Sequence, residues 1–364
     1  KNGHVRLFSL DEDDQSWLSG AILYGTNNAT TNATSRADDD LFGFSVAVSG
    51  DGTIVAAGSI TGDGYVRIFE WQPTSGGWFP LGDRIVGEGG SGFFGESLAL
   101  SYDGRTIAVG LSRSEHGIAR VFQWDDDDGV TTSSTTWRQV GQSLKGLLTL
   151  EPDGVFGGPI ALSDNGSILA VGRDQDGLGD GYARCYQLDD DGDEWQQLGG
   201  DLVGQALGDH FGRSVALSSN GMILAVGASE NDNSNGENAG RVCVFQFDGT
   251  DWQQIGEGIY GEAAGDEFGG SVALSADGAI LAVGAAFNNG SGFRAGQVRV
   301  FQLSNNDWVQ LGDAMEGEFE KDLFGISLSL SADGATVVVG ADGNSDNNKT
   351  WAGQVRAFKA VSVG

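Results

Sequence analysis

Six times along the chain, a short stretch of alternating small and larger residues is followed by a tight turn and then an unbroken apolar run. The copy at Phe211 reads FGRSVALSSNGMILAVG, with Ser214, Ala216 and Ser218 alternating with Val215 and Leu217. Close copies begin at Phe42, Phe94, Phe156, Phe268 and Phe324, with spacings of 52, 62, 55, 57 and 56 residues. The alternation has the period of a strand, and Ser-x-Asp/Asn-Gly tolerates the positive φ of a tight hairpin turn. The apolar run that follows, Ile-Leu-Ala-Val-Gly in its commonest form, predicts a second strand covered on both faces.

A third strand follows each copy. Seven segments of the form Val-Arg-x-Phe or a variant occur, starting at His4, Tyr65, Ile118, Tyr182, Arg241, Gln297 and Gln354. After six of them comes a fourth strand opening on a tryptophan, Trp17, Trp78, Trp137, Trp195, Trp252 or Trp308. No stretch carries the 3.6-residue apolar period of a helix. Four short strands per unit, repeated at this period, predict an all-β fold, a β-propeller of four-stranded blades. A β-helix needs shorter coils, and a sandwich lacks such self-similarity. The domain would span residues 1–364, with units starting near 36, 88, 148, 205, 262 and 318 and an N-terminal half-blade over 1–25. Seven Val-Arg-x-Phe strands favour seven blades, with six as the alternative. The N-terminal hairpin is expected to join the C-terminal strands in one composite blade and so close the ring.

Composition narrows the function. The chain of 364 residues carries 51 Asp+Glu against 20 Lys+Arg, a net charge of −31. That charge repels phosphate backbones and anionic lipid surfaces, which argues against nucleic-acid partners and direct membrane insertion. Three histidines and no His-Glu-x-x-His argue against a metalloprotease helix. Five glycosylation sequons, at Asn28, Asn32, Asn165, Asn289 and Asn348, all fall in predicted turns or loops. With the acidity and a start at Lys1 that reads as processed or truncated, they point to a secreted or cell-surface protein.

The repeated residues resemble the FG-GAP repeats of integrin alpha-subunit propellers and related surface proteins. The resemblance rests on Asp-x-Phe-Gly-x-Ser, then Asp-Gly, then Ala-Val-Gly-Ala, then Gly-x-Val-x-Val-Phe, over nearly the whole chain. The leading aspartate stands at Asp40, Asp209, Asp266 and Asp322. The resemblance implies a propeller fold, extracellular placement and a role in binding or adhesion. The family's calcium loop, Asp-x-Asp/Asn-x-Asp-Gly in the first hairpin, is not matched here.

Candidate chemistry is sparse. The Phe-Gly pairs read as packing and close backbone approach, the aspartates before them as loop caps, and the repeat tryptophans as core between blades. Trp351, beside Asn347 and Asn348, is the best candidate for an exposed aromatic contact. Asp174, Asp176 and Asp180 have a spacing that could wrap one Ca²⁺, and the acidic runs at 38–40, 125–128 and 189–191 read as solvated loops. Cys185 and Cys243, in third strands of adjacent units, are placed where a disulfide is geometrically available. His210 next to Asp209 reads as a tolerated substitution in a repeated turn rather than a catalytic dyad. The loops between second and third strands vary most and should cluster on one rim.

The leading expectation is a non-enzymatic extracellular binding or structural module, contacting a protein or glycan partner through that rim and belonging to a larger assembly. Calcium-assisted lectin-like sugar binding is one alternative. A propeller hydrolase or lyase is the other, and it requires carboxylates, His or Arg converging at the axis.

Overall fold

The computed structural model describes residues 3–10, 16–25, 40–87, 93–112, 117–125, 136–146, 154–175, 180–345 and 352–360. Among these every regular element is a strand. Five antiparallel sheets follow the repeat in full, over residues 45–86, 97–145, 154–203, 211–260 and 271–316. They are blades 1 to 5, and their strands are ordered first, second, third, fourth from one edge to the other. Blade 6, residues 327–359, has the first three strands. The protein is therefore a six-bladed β-propeller, and the favoured count of seven is corrected. The N-terminal pair, His4–Leu10 with Trp17–Tyr24, repeats only a third and a fourth strand and forms a separate two-stranded sheet.

The expected composite blade is corrected as well. Among the described residues, the N-terminal strands pair only with each other, and the last strand, Gln354–Lys359, pairs only with Thr336–Ala341. The reason lies at Gly3. A Cβ there would fall 2.1 Å from the Phe42 carbonyl oxygen, the approach that Gly64 makes to Phe94 and Gly240 to Phe268. The hairpin is thus seated against blade 1 as an outer half-blade, with Val5, Leu7 and Leu23 packed on Phe42 and Tyr65.

The first strands of neighbouring blades lie against one another, so they form the inner wall. Their hairpin turns are joined by backbone hydrogen bonds from blade to blade. Gly50 N–H donates to Tyr102 (2.8 Å), Tyr102 to Asp164 (2.8 Å), Asp164 to Ser219 (2.9 Å), Ser219 to Ala276 (2.9 Å) and Ala276 to Ala332 (2.8 Å). At the opposite end, Ser45, Ser97, Ser214 and Ser271 donate their hydroxyls to the Phe-Gly glycine carbonyl of the next blade. In blade 3 Pro159 stands where the other blades have this serine.

The cores lie between blades. Phe42, Phe94, Phe156, Phe211, Phe268 and Phe324 are all at most 4% exposed, which stabilises each junction by about 1.5–3 kcal/mol per ring. The glycine after each is a steric requirement. At Gly212, φ is +92° and a Cβ would lie 2.4 Å from the Tyr182 carbonyl oxygen. The repeat tryptophans fasten the outer strands. Trp137, Trp195, Trp252 and Trp308 are buried, and their indole N–H groups donate to Leu81, Val140, Leu198 and Ile255 of the preceding blade at 2.8–3.2 Å. They are core residues and not sugar platforms.

Candidate functional site

The Phe-Gly corners stand at the end of the inner wall opposite the turn ring. The residue just before five of the six phenylalanines takes a left-handed backbone. Leu41, Phe93, His210, Glu267 and Leu323 all have φ between 44° and 68°. The corner geometry is common to these units, so the side chain placed there is what distinguishes one blade from another. In blades 4 and 5 these are His210 and Glu267. The residue after Phe-Gly begins the inner strand, and in blade 4 it is Arg213.

Asp174 comes from blade 3, at the end of the second strand Ile168–Gln175. Its counterparts after Ala-Val-Gly-x are Ser229 in blade 4 and Ala286 in blade 5. Blade 6 has a carboxylate, Asp342, at the same position, and the Asp174 carboxylate of blade 3 is 4% exposed. His210 Nδ1 lies 2.7 Å from Asp174 Oδ1, and Arg213 Nη1 donates to Asp174 Oδ2 at 2.8 Å. His210 is 9% exposed, and its Nε2 lies 3.5 Å from Glu230 Oε2. Arg213, Glu267, Ser229, Gly270, Phe287 and Ile326 line a pocket of about 250 Å³ that spans the corners of blades 4, 5 and 6.

The electrostatics fit this clustering. Burial opposes ionisation of Asp174, but the His210 hydrogen bond and the Arg213 charge outweigh it and hold the carboxyl below its usual range. Glu267 shifts the other way. Partial burial, reinforced by the nearby Glu230 charge, raises its pKa against the pull of Arg213, Arg294 and His210. Glu267 on the pocket wall and Asp174, which meets the wall residue Arg213, are thus pushed apart in acidity, and such opposed shifts are frequent at catalytic sites.

The residues singled out from sequence fare unevenly. His210 does not pair with Asp209, whose carboxylate accepts the Ala206 N–H as a loop cap, and instead meets Asp174 across the blade junction. Asp266 and Asp322 cap their loops in the same way, at Ala263 and at Glu318 and Phe319. Asp174 is committed to His210 and Arg213, Asp180 is exposed, and Asp176 lies outside the described residues. Among the described residues no group of three or more His, Cys, Asp or Glu is arranged to hold a metal ion. Asp189 caps its own loop through the N–H groups of Asp193 and Glu194. The expected disulfide is corrected. Cys185 and Cys243 are free thiols buried in one apolar cluster between blades 3 and 4, where burial pushes both thiols up. Asn165 is exposed in a turn and Asn289 in a loop, while Trp351, Asn28, Asn32 and Asn348 lie outside the described residues.

Known proteins add to this geometry. The FG-GAP repeat matches residues 204–245, the segment that carries His210, Arg213 and Glu230. One FG-GAP repeat is thus matched, on a chain whose fold is a β-propeller. No curated protein matches the sequence significantly. Among solved structures, a proposed 6-phosphogluconolactonase of Bacteroides uniformis matches with a TM-score of 0.61 and 14% identity, covering 97% of this chain and 92% of that one. The periplasmic gluconolactonase of Pseudomonas aeruginosa matches with a TM-score of 0.58 and 17% identity, covering 99% and 92%. A proposed 6-phosphogluconolactonase of Bacteroides fragilis matches with a TM-score of 0.58 and 13% identity, covering 97% and 90%. At these identities the likeness carries the fold. The finding that corrects the expectation of a non-enzymatic module is that all three of these propellers are described as lactonases. Among the described residues no helix is long and apolar enough to cross a membrane, which leaves strand-built spans unaddressed.

Proposed function

We propose that the protein is a propeller hydrolase that opens a small cyclic ester, a lactone, at the pocket beside His210. The observation that carries this reading is the 2.7 Å contact of His210 with Asp174, with Arg213 on the same carboxylate. The sequence alone had made such convergence the requirement for a hydrolase.

The 2.7 Å contact directs the Nδ1–H of His210 at Asp174 and makes Nε2, on the Glu230 side, the base. A water on the Nε2 side, where Glu230 also lies, loses a proton to that nitrogen as its oxygen adds to the lactone carbonyl carbon. The guanidinium of Arg213 supports the negative charge that develops on the carbonyl oxygen. The ring C–O bond then breaks, and the departing ring oxygen takes the proton back from His210. Lactone plus water yields one open hydroxy acid, with no other reactant.

The substrate class follows from charge. A net −31 disfavours a phosphorylated ligand, so a neutral sugar lactone is the preferred substrate. A panel of glucono-lactone and its 6-phosphate, followed by acid release, tests this. The neutral lactone should be hydrolysed faster. No hydrolysis of either above the spontaneous rate would sink the reading.

Placement outside the cytoplasm belongs to the same proposal. Its supports are the acidity, the exposed sequons at Asn165 and Asn289, and the periplasmic description of the Pseudomonas protein. An intact mass from native material, with glycan additions, would bear on it, and an unmodified mass would count against the glycoprotein part.

A further inference from the structure

The corner of blade 5 carries a carboxylate that the fold does not require there. Glu267 stands in the left-handed region, with φ at +52°, and the same corner carries Leu41 in blade 1 and Leu323 in blade 6. A left-handed backbone strains any residue with a Cβ, and half-burying a charge adds to the cost. Burial indeed opposes the ionisation of Glu267. Yet among the described residues its carboxyl accepts no hydrogen bond and makes no direct ion pair. Its side chain lines the pocket that spans the corners of blades 4, 5 and 6.

A second polar group lines the same space. Ser229 follows the second strand of blade 4 and is 3% exposed. The equivalent serine of blade 2, Ser112, donates its hydroxyl to Glu96, the residue after that blade's Phe-Gly. In blade 4 the residue after Phe-Gly is Arg213, which is bound to Asp174. Among the described residues the Ser229 hydroxyl therefore has no hydrogen-bond partner. A buried hydroxyl in that state is costly unless a ligand supplies the partner. Apart from Arg213 and these two groups the pocket lining is apolar, with Ala286 and Phe287 from blade 5 and Ile326 from the corner of blade 6. The Arg294 guanidinium lies 4.9 Å from the centroid of the Phe287 ring and braces it.

We infer that Glu267 and Ser229 bind the hydroxyl groups of the lactone while Phe287 and Ile326 bear on the C–H groups of its ring, so that these four residues set the specificity of the site for a polyhydroxylated ring. The inference rests on the hydrolase reading of the same pocket and names what that pocket selects. A sugar lactone has this two-sided chemistry. Its hydroxyls donate to a carboxylate and exchange hydrogen bonds with a serine, and its C–H groups form an apolar patch that packs on an aromatic face. A pocket of about 250 Å³ admits one such ring. An unsubstituted lactone of the same ring size would leave both polar groups without partners. A site built to hydrogen-bond hydroxyls rejects the analogue that lacks them far more strongly than an apolar pocket rejects a missing methylene.

The probes are glucono-lactone and valerolactone, six-membered lactones with and without hydroxyl groups, opened by the intact protein in a pH-stat. Each kcat/KM is taken relative to the spontaneous opening of that lactone. The variants are Glu267→Leu and Ser229→Ala. The repeat already carries these side chains at the same positions, at Leu323 and Ala286, so the fold is retained. The native protein should favour glucono-lactone, and the ratio between the two lactones should fall about tenfold or more in each variant, through KM for glucono-lactone. A native ratio near unity, a ratio that the variants leave unchanged, or a loss that falls equally on both lactones would overturn the inference and leave the hydrolase reading standing. No opening of either lactone by the native protein above the spontaneous rate would overturn that reading and the inference with it.

Discussion

His210 and Asp174 meet at 2.7 Å although they come from different blades, the first from the corner of blade 4 and the second from the end of a strand in blade 3. His210 replaces residues of another kind at the corner, so among the described residues the contact exists at one junction of the ring. A symmetric scaffold gains a directional proton relay by placing an Asp in one unit and a corner His in the next. If that relay serves catalysis, His210→Gln should lower kcat/KM for lactone opening by about 10²–10⁴-fold. Far-UV circular dichroism should be unchanged, since the corner conformation is shared by residues as different as Leu41 and Phe93.

The acidity of Asp174 gives a signed pH dependence. Its folded pKa lies below the ordinary 3.8. The stabilisation it supplies is therefore complete above 3.8 and is lost as pH falls through the folded value. Urea unfolding of the native protein and Asp174→Asn from pH 7 to pH 2 should show a stability gap that is constant down to about pH 4 and narrows below it. A gap that widens in acid would reverse the assignment.

Glu267 has the opposite sign. Its pKa is raised from 4.5, so its charged form costs stability in the fold. That cost is absent below 4.5 and grows as pH rises through the folded value. Glu267→Gln should raise the melting temperature at pH 7 and have little effect at pH 4. An equal shift at both values would mean that charge is not the cause.

The outer strands depend on the indole bonds. Trp195 is 2% exposed and donates to the Val140 carbonyl at 3.0 Å. Trp195→Phe keeps most of the apolar ring but orphans that carbonyl, at a cost of about 1–3 kcal/mol. Urea midpoints of the two proteins measure it.

Most of the blade architecture was legible from the chain. Phe-Gly, Asp-Gly and the apolar run recur at fixed offsets, and local turn chemistry with period-2 patterning is enough to place the strands. The blade count was not legible, because a third strand such as His4–Leu10 looks alike whether or not inner strands accompany it. The site was harder still. Asp174 has a spacing that suits a cation loop, and His210 has Asp209 as its chain neighbour. Which carboxylate the imidazole meets depends on how blade 3 abuts blade 4, a relation that no local pattern encodes. The usable signal was the break in symmetry. Gly-Arg-Asp stands at the end of the second strand of blade 3 where blade 4 has Gly-Ala-Ser, and His-Phe-Gly-Arg marks the corner of blade 4. The same symmetry reading gave four of the six repeat tryptophans correctly, Trp137, Trp195, Trp252 and Trp308, while Trp78 is half-buried and Trp17 is exposed.

The most direct test of the account is acid release from glucono-lactone in a pH-stat, comparing the native protein with His210→Gln. The account predicts a rate that saturates with lactone concentration and falls about 10²–10⁴-fold in the variant. Equal rates for the two proteins, or a native rate no faster than spontaneous opening, would contradict it.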